Sequence, residues 1–256
     1  MSAAQEAPTI PLAGQVVLVT GGVRGVGAGI TRVFRQAGAT VVTCARHASD
    51  DPDFVQVDIR DPDDVERLVA TVLDRHGHLD VLVNNAGGAP FALADTASPR
   101  FHHKIIELNL VAPLHVSQAA NKVMQAQEDG GAIVMIGSVS GRRPSPGTAA
   151  YGAAKAGLDN LTASLAVEWA PKVRVNSLAV GMVHTESSAM HYGDADGIAR
   201  VAATVPLGRL ADPTEIGTCA LFLASPLASY VTGATLAVHG GGECPAFLAA
   251  SGVNEP

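Results

Sequence analysis

The segment VVLVTGGVRGVG, residues 16–27, decides the fold class of this 256-residue chain. An apolar run ends at Thr20 and leads directly into four glycines, after which an amphipathic stretch begins. A strand, a glycine-rich turn and a helix in this order are typical of a dinucleotide-binding loop, because glycines let the backbone approach a diphosphate and the helix N-terminus offers free N–H groups. The spacing Gly-x-x-x-Gly-x-Gly is slightly longer than the most common dinucleotide pattern, but the strand and helix on either side favour that interpretation over a purely structural turn. The predicted cofactor contacts in this loop are Gly21, Arg24, Gly25, Val26 and Gly27.

Short apolar runs recur along the rest of the chain and alternate with amphipathic segments. Continuous apolarity is typical of strands that are covered on both faces of a sheet. The predicted strands are residues 15–20, 40–44, 54–57, 79–83, 132–136, 173–178 and 235–238. Asp61 before Pro62, and Asp212 before Pro213, are N-cap signals for the helices between them. The alternation predicts an α/β fold of parallel βαβ units, wound on both sides of one sheet.

The composition limits the number of domains and the kinds of partner. A chain of 256 residues with 47% hydrophobic residues fits one α/β domain. The net charge of −7 disfavours nucleic acid and anionic membranes as partners, because like charges repel. We expect a single domain at residues 12–242, between a flexible N-terminus at 1–11 and a C-terminal tail at 243–256. Within it, residues 182–205 have little strand pattern and are expected to form a helical lid.

The cysteines and the N-terminal residues give the expected location. Cys44, Cys219 and Cys244 are odd in number and far apart, so their spacing predicts neither a disulfide framework nor a zinc site. The first residues lack the charged start and apolar run of a signal peptide, and no apolar stretch is long enough for a bilayer. We therefore expect a cytoplasmic protein without a bound metal and without membrane attachment.

The end of the second predicted strand bears on the choice of cofactor. An acidic side chain at this position binds the adenosine ribose of NAD(H), but the strand here ends in Arg46. Arg46 and Arg24 are suited to a 2′-phosphate, which favours NADP(H) as cofactor. NAD(H) is the alternative, because both arginines can be solvated surface groups and Asp50 or Asp51 can reach back. Asp58, with Ile59 after it, ends the third strand and is a candidate contact to the adenine.

A tyrosine and a lysine four residues apart are the main candidates for proton transfer. Tyr151 and Lys155 lie one turn apart on a predicted helix. A tyrosine with an ordinary pKa of about 10 needs roughly 4 kcal/mol of phenolate stabilisation to act as a base near neutrality. The positive charge of Lys155 favours the phenolate. Ser138, at the end of the fifth strand, is placed to bond a substrate oxygen, and Asn109 is a polar residue in a core-facing run that needs partners.

Taken together, these residues resemble the short-chain dehydrogenase/reductase family from about Leu12 to Gly242. The matching set is the glycine loop, Asn84-Asn85-Ala86-Gly87, Asn109, Ser138 and Tyr151 with Lys155. The resemblance implies a Rossmann-like, three-layer αβα, doubly wound parallel sheet of about seven strands and a homotetramer or homodimer. It also implies that Tyr151 is the acid and base, that Ser138 polarises a carbonyl, that Lys155 holds the nicotinamide ribose and that Asn109 serves a proton relay.

The resemblance implies further cofactor contacts and has two departures. Asn85, Ala86, Gly87, Gly181, Val183 and Thr185 are the additional expected contacts, and Tyr151 and Lys155 also face the cofactor. The usual Pro-Gly after the sixth strand is Val180-Gly181 here, which we expect to change loop flexibility rather than binding. The usual Asp before the final Gly-Gly is His239, which puts a turn or subunit contact in doubt.

Several other polar groups are weaker candidates. The adjacent pair His102-His103 points about 100° apart on a helix, so a surface location is favoured over a shared metal. His184, His191 and Tyr192 lie in or near the predicted lid and are either substrate contacts or scaffold. Arg142 and Arg143 are expected to be solvated, with binding of an anionic substrate group as the less favoured alternative.

Three functions are open at this point. The first is interconversion of a secondary alcohol and a ketone, both small molecules, by hydride transfer with NADP(H). The second is NAD-dependent catabolic oxidation of an alicyclic, steroid-derived or 3-hydroxyacyl substrate, for which the small residues 147–150 leave room. The third, from another class, is a non-catalytic dinucleotide sensor or scaffold, which would have no need of Tyr151.

Overall fold

The computed structural model describes residue 10 and residues 12–88 and 90–247, and its centre is a parallel sheet of seven strands. The strand order is β3-β2-β1-β4-β5-β6-β7, which confirms the doubly wound arrangement with the reversal between β1 and β4. The strands are β1 Val16–Thr20, β2 Thr40–Ala45, β3 Phe54–Gln56, β4 Val81–Asn84, β5 Gly131–Ile136, β6 Val173–Val180 and β7 Thr235–Val238. Each of them overlaps a strand that the sequence predicts.

Helices connect the strands and cover both faces of the sheet. They are α1 Gly25–Gln36, α2 Pro62–His76, α3 Pro99–Ile106, α4 Ala112–Ala126, α5 Ala149–Trp169, α6 Ser188–Tyr192, α7 Ala195–Ala203 and α8 Pro213–Ala224. One apolar core packs α2, α4 and α5 against one face of the sheet, and a second packs α1 and α8 against the other. The chain therefore has the predicted three-layer αβα architecture.

The predicted helix starts are confirmed by their caps. Asp61 accepts a hydrogen bond from the backbone N–H of Asp63 at 3.0 Å at the start of α2. Asp212 accepts from Thr214 at 2.8 Å at the start of α8, while Glu215 reaches back to the Asp212 N–H. Each such cap typically stabilises a protein by about 1 kcal/mol.

Most strand limits agree with the prediction to within one residue, and the two that differ by two residues do so for identifiable reasons. The fourth strand begins at Val81 rather than at Leu79, because the backbone N–H and C=O of Leu79 bond to the side chain of Gln127. The sixth strand continues beyond Leu178 to Val180, because its last residues pair with β7. Apolar runs show where a strand lies but not which partner ends it.

The carboxyl ends of the strands lie along one edge of the sheet, and the loops that leave them carry the candidate site residues. Residues 182–205 leave β6 at this edge and contain α6 and α7. Open α/β sheets bind ligands at this edge, near the point where the strand order reverses. The fold thus brings the glycine loop after β1 near the loops after β4, β5 and β6.

Two further observations bear on membrane attachment and on metal binding. None of the helices in the described ranges has the length and apolar character needed to span a membrane. The described residues contain no grouping of three or more His, Cys, Asp or Glu side chains suited to a metal ion. The predicted N-terminal segment 1–11 lies outside the described residues apart from Ile10, and so does the predicted tail beyond residue 247.

Candidate active site

The glycine loop between β1 and α1 brings the backbone into close contact with its surroundings. Gly21 and Gly25 have φ angles of +64° and +52°, in the left-handed region that favours glycine. A Cβ atom on Gly27 would lie 2.1 Å from the carbonyl oxygen of Gly21, so a side chain does not fit there. Val26 packs partly into the core beside α1. The loop has the tight turn and the close backbone approach that a diphosphate requires.

The loop after β4 is tied to the end of β1. The side-chain amide of Asn85 donates to the carbonyl oxygens of Thr20 and Gly21 at 2.9 and 3.1 Å. The Thr20 hydroxyl accepts from the backbone N–H groups of Asn85 and Ala86, both at 3.0 Å. Thr20 was not among the predicted site residues, although a polar side chain at the last position of a buried strand is a signal for such a bridge.

Tyr151 lies in the first turn of α5, beside Ser138. The Ser138 hydroxyl is near enough to the Tyr151 hydroxyl to affect its pKa. Burial raises the pKa of Tyr151, the neighbouring Ser138 hydroxyl lowers it, and a negative charge on the nearby Tyr192 would raise it further. The hydroxyl of Ser138 also accepts from the backbone N–H of Ser140 at 3.2 Å, which fixes its position at the end of β5. The structure therefore brings Tyr151 and Ser138 together, as predicted.

Lys155 is 4% exposed and lies one turn after Tyr151 on α5. Its Nζ atom donates to the backbone carbonyl of Ile136 at 2.7 Å and is 5.6 Å from the centre of the Tyr151 ring. Burial lowers the pKa of Lys155 to about 8, and the carboxylate of Asp159 acts in the opposite direction. The ammonium group is thus fixed beside the tyrosine. Its lowered pKa brings its titration close to neutral pH.

Asn109 is fully buried in a π-helical turn, Glu107–Val111, between α3 and α4. Its amide donates to the carbonyls of Gly88 and Ile105, both at 2.9 Å, and its oxygen accepts from the N–H of Gly88 at 2.8 Å. The partners are backbone groups, so the amide does not depend on Lys155 for satisfaction. A Cβ on Gly87 would lie 2.6 Å from the Asn109 oxygen and 3.5 Å from the Lys155 Nζ, which shows that Gly87 lies between the two side chains.

The adenosine end of the site is formed by exposed groups. Arg24 is the N-cap residue of α1, and Arg46 directly follows β2; both are exposed. Asp51, which we considered as a possible ribose partner, is instead held by Arg35 at 2.8 Å and by the hydroxyl of Thr43 at 3.2 Å. These contacts, chiefly the Arg35 hydrogen bond, outweigh burial and leave the pKa of Asp51 below its usual value. Asp51 is therefore already paired with Arg35 and is not available as an acidic partner for a ribose.

Asp58 and Ile59 occupy the end of the third strand in different ways. Asp58 accepts from the Arg60 side chain, with Nε at 2.9 Å, and this hydrogen bond is the main reason that its pKa is lowered. An adenine that contacts the Asp58 carboxylate would share this carboxylate with Arg60. Ile59 is buried in the core on the α2 side, so only its backbone is available to a ligand.

The residues after β6 are held by short-range contacts. Gly181 packs against His239, whose Cβ would be 2.8 Å from a Cβ on Gly181, so the retained glycine after β6 lies against the departing residue His239. Val183 forms a bridge with Ala211, and Thr185 donates its backbone N–H to the hydroxyl of Ser188 at 2.8 Å. A Cβ on Gly25 would be 3.7 Å from the methyl group of Thr185. The loop after β6 therefore meets the glycine loop.

One contact between these two loops was not predicted. The carboxylate of Glu186 accepts a hydrogen bond from the backbone N–H of Gly25 at 2.9 Å. The two residues are 161 positions apart, so spacing along the chain carries no signal for the contact. An acidic residue beside the predicted contact Thr185, opposite a helix N-terminus, is the pattern that points to it.

The structure shows the surroundings of the histidines, the arginines and the tyrosine that were weaker candidates. His102 is half-buried and lines a narrow cavity beside Tyr151, whereas His103 is exposed. Arg142 pairs with Asp159 at 3.0 Å, and Arg143 pairs with Glu243 at 2.6 Å, so both arginines are in ion pairs. His184 and His191 are exposed, while Tyr192 is half-buried near Tyr151.

These residues fit a nicotinamide dinucleotide. The close-packed glycine loop and the N–H groups at the start of α1 suit a diphosphate, and the space over Gly87 is bounded by Asn109 and Lys155. Tyr151, Ser138 and Lys155 form one connected group next to this space. Such a group can hold an oxygen atom by hydrogen bonds and exchange a proton with it.

Comparison with known sequences agrees with this chemistry. Residues 21–243 match the family model described as Enoyl-(Acyl carrier protein) reductase. The chain is 36% identical over 241 residues to the 3-oxoacyl-[acyl-carrier-protein] reductase FabG of Vibrio cholerae, covering 90% of this chain and 98% of that protein. It is 34% identical over 247 residues to dehydrogenase/reductase SDR family member 4 of Homo sapiens, covering 90% and 88%.

Solved structures show the same fold over the same length. The aldohexose dehydrogenase of Thermoplasma acidophilum, in ligand-free form, superimposes with a TM-score of 0.85 and 29% identity, covering 90% of this chain and 94% of that one. The RhlG/NADP active-site complex of Pseudomonas aeruginosa gives a TM-score of 0.84 and 30% identity, covering 92% and 98%. Agreement of this extent in both sequence and fold means that the chain belongs to the short-chain dehydrogenase/reductase family and is an NAD(P)-dependent oxidoreductase.

Proposed function

We propose that this enzyme interconverts a secondary alcohol and a ketone with NADP(H), and that Tyr151 is the general acid and base. The observation that carries the proposal is the grouping of Tyr151 with the neighbouring Ser138 hydroxyl and with the buried Lys155, whose Nζ atom is 5.6 Å from the centre of the Tyr151 ring. When bound, the cofactor supplies or accepts the hydride. The protein supplies the proton and the binding groups for the oxygen.

The proposed roles follow from the positions of the hydroxyl groups. In reduction, the carbonyl oxygen accepts hydrogen bonds from Ser138 and Tyr151, and Tyr151 gives its proton to this oxygen as the alcohol forms. In oxidation, Tyr151 removes the alcohol proton. Burial raises the pKa of Tyr151, so the phenolate needs the positive charge of Lys155 for stabilisation. Asn109 fixes the loop at Gly88 by its backbone contacts and thereby sets the space beside Lys155.

The proposed cofactor contacts divide along the length of the site. Gly21, Gly25, Val26 and Gly27 take the diphosphate on backbone groups, and Lys155 with Tyr151 takes the nicotinamide ribose. Asn85, Ala86, Gly87, Gly181, Val183 and Thr185 border the nicotinamide half, and Asp58 with Ile59 borders the adenine. Arg24 and Arg46 take the 2′-phosphate, and their exposure, at the N-cap of α1 and directly after β2, supports NADP(H) over NAD(H). The NADP complex of the RhlG relative gives further support.

Steady-state turnover with both cofactors tests the proposal. A panel of ketones and secondary alcohols, including alicyclic and acyl-thioester compounds, is followed by nicotinamide absorbance. We expect a higher kcat/KM with NADP(H) than with NAD(H). Equal or better efficiency with NAD(H) would instead support the catabolic NAD-dependent dehydrogenase. No turnover with any compound, despite measurable cofactor binding, would support the non-catalytic sensor.

The remaining proposals concern organisation. We propose a single domain at residues 12–242 whose segment 182–205 acts as a lid, since α6 and α7 follow β6 directly beside the site. A homotetramer or homodimer is proposed from the family resemblance, and the exposed apolar side chains of Val167 and Leu236 support it. Light scattering on the purified protein tests the assembly, and cell fractionation tests the predicted cytoplasmic location.

A further inference from the structure

We infer that Glu186 competes with the diphosphate of the cofactor for the N-terminus of α1, so that cofactor binding has to displace this carboxylate. The inference rests on the proposed dinucleotide site and adds a residue that controls its affinity. Its basis is the hydrogen bond from the Gly25 N–H to Glu186 at 2.9 Å. This distance is the ordinary length of an N–H···O bond, and a phosphate oxygen bound to the same N–H would need the same place.

The start of α1 differs from the starts of α2, α7 and α8. The helices α2, α7 and α8 are capped by the aspartate that precedes each of them, Asp61, Asp194 and Asp212. At the start of α1, the N-cap residue Arg24 makes no side-chain cap, and the first turn contains no acidic residue. A carboxylate from a distant loop takes that role. The N-terminus of α1 is therefore satisfied by a group that can leave without unfolding the helix.

The turn that carries Glu186 is held in place independently of the carboxylate. Thr185 and Ser188 bond to each other through the Thr185 N–H and the Ser188 hydroxyl at 2.8 Å and through the Ser188 N–H and the Thr185 carbonyl at 3.0 Å. Ser188 is 2% exposed, whereas Glu186 is exposed. The turn is thus anchored on the protein, and the Glu186 side chain is free to swing into solvent.

Electrostatic repulsion disfavours simultaneous binding of Glu186 and the diphosphate at the start of α1. The positive end of the α1 dipole and its free N–H groups attract any anion, and Glu186 and a diphosphate carry the same sign of charge. If the carboxylate stays, it repels the diphosphate; if it leaves, its bond to Gly25 is lost. Either way, Glu186 weakens cofactor binding. Its departure also releases the link between the glycine loop and the predicted lid, so binding of the cofactor and movement of the lid are coupled.

Calorimetric titration with NADP⁺ tests the inference on Glu186→Gln, which keeps the shape but removes the charge, and on Glu186→Ala, which removes both. We expect Glu186→Gln to bind about tenfold more tightly than the unchanged protein, with Glu186→Ala at least as tight. Glu128→Gln is the control, because it changes the net charge equally at an exposed position before β5, at the opposite edge of the sheet. The difference should shrink as salt is added.

A thermal melt without cofactor separates competition from simple helix capping. Glu186→Ala should lower the melting temperature by about 2 °C, because a cap is lost, while it tightens NADP⁺ binding. Unchanged or weaker binding in both Glu186 variants, with normal binding by the unchanged protein, would overturn the inference and leave the proposed function intact. Failure of every form, including the control, to bind NADP⁺ or NAD⁺ would overturn the proposed function itself.

Discussion

The two ends of the proposed cofactor site are built in opposite ways. At the catalytic end, Lys155 and Asn109 are 4% and 0% exposed and are held by backbone carbonyls of Ile136, Gly88 and Ile105. At the adenosine end, Arg24 and Arg46 are exposed, and within the described residues neither takes part in an ion pair.

The difference shows which part of the function is fixed by the fold. A buried polar group must have partners, because leaving it unsatisfied costs about 1–3 kcal/mol, so its position is set before any ligand arrives. Exposed arginines pay no such penalty and take their final geometry from the ligand. The proposed proton chemistry is therefore built into the core, whereas the proposed choice of NADP(H) over NAD(H) depends on a few surface side chains.

The largest expected effect comes from the catalytic end. Tyr151→Phe removes the hydroxyl that lies near Ser138 but keeps the ring beside Lys155. We expect kcat to fall by about 10³-fold or more, because general acid–base catalysis typically contributes about 10²–10⁴-fold. Cofactor affinity should change little, since the backbone of the glycine loop is untouched. Stopped-flow turnover and NADP⁺ titration measure the two quantities separately.

Tyr230→Phe is the matched control for this change, because Tyr230 is fully exposed and its hydroxyl is far from any proposed role. It should keep the kcat of the unchanged enzyme. If Tyr151→Phe retained more than a few per cent of activity, the proton would have another source, and the catalytic end would not be the fixed part of the site.

An intermediate effect is expected at the adenosine end. Replacing both Arg24 and Arg46 by alanine should raise the KM for NADP(H) by about 10- to 100-fold, because a hydrogen bond to a charged group contributes about 1.5–3 kcal/mol. The KM for NAD(H) should stay within about threefold, since NAD(H) lacks the 2′-phosphate that the arginines are proposed to bind. The ratio of the two kcat/KM values reports the change directly.

Arg75→Ala serves as the control, because it removes an exposed positive charge at the end of α2, away from the loops that carry the site. Equal losses with both cofactors in the double variant would show that Arg24 and Arg46 serve the diphosphate or the loop itself. In that case the two ends of the site would not be separable, and the preference for NADP(H) would lose its explanation.

The same contrast explains how much the sequence alone could predict. Apolar runs and glycine spacing located seven strands and the cofactor loop, because burial leaves a clear pattern in the sequence. Tyr151 and Lys155 were found together because one helical turn separates them. Asn109 was recognised as a buried amide, but its partners at Gly88 and Ile105 were not, since they depend on the π-helical turn.

Contacts between distant loops could not be predicted from the sequence. The bond between Glu186 and Gly25 joins two loops whose distance is set by the packing of β1 and β6 in one sheet. The capture of Asp51 by Arg35 likewise depends on where the loop after β2 folds back against α1. Each contact includes one exposed charged side chain, Glu186 or Arg35, for which several partners are within reach and burial makes no selection.

The smallest expected effect concerns stability, and it tests how strongly the catalytic end is buried. Burial lowers the pKa of Lys155 from 10.5 to about 8 in the folded protein. Between these values the unfolded chain binds more protons than the folded one, so stability rises with pH. The penalty for burying the charge is fully present below pH 8. We expect its partial relief to add about 1 kcal/mol to the free energy of unfolding between pH 8 and 9.

Urea unfolding of the cofactor-free protein at these pH values measures the effect against Lys155→Met, which lacks the titrating group. The window ends near pH 9, because burial raises the pKa of Cys44 from 9.0 to about 12, and this thiol makes stability fall as pH rises further. Both proteins contain Cys44, so the difference between them isolates Lys155. If the two proteins showed the same pH dependence, the lysine would titrate as it does in water. The catalytic end would then be as open to solvent as the adenosine end, and burial would not be what fixes its geometry.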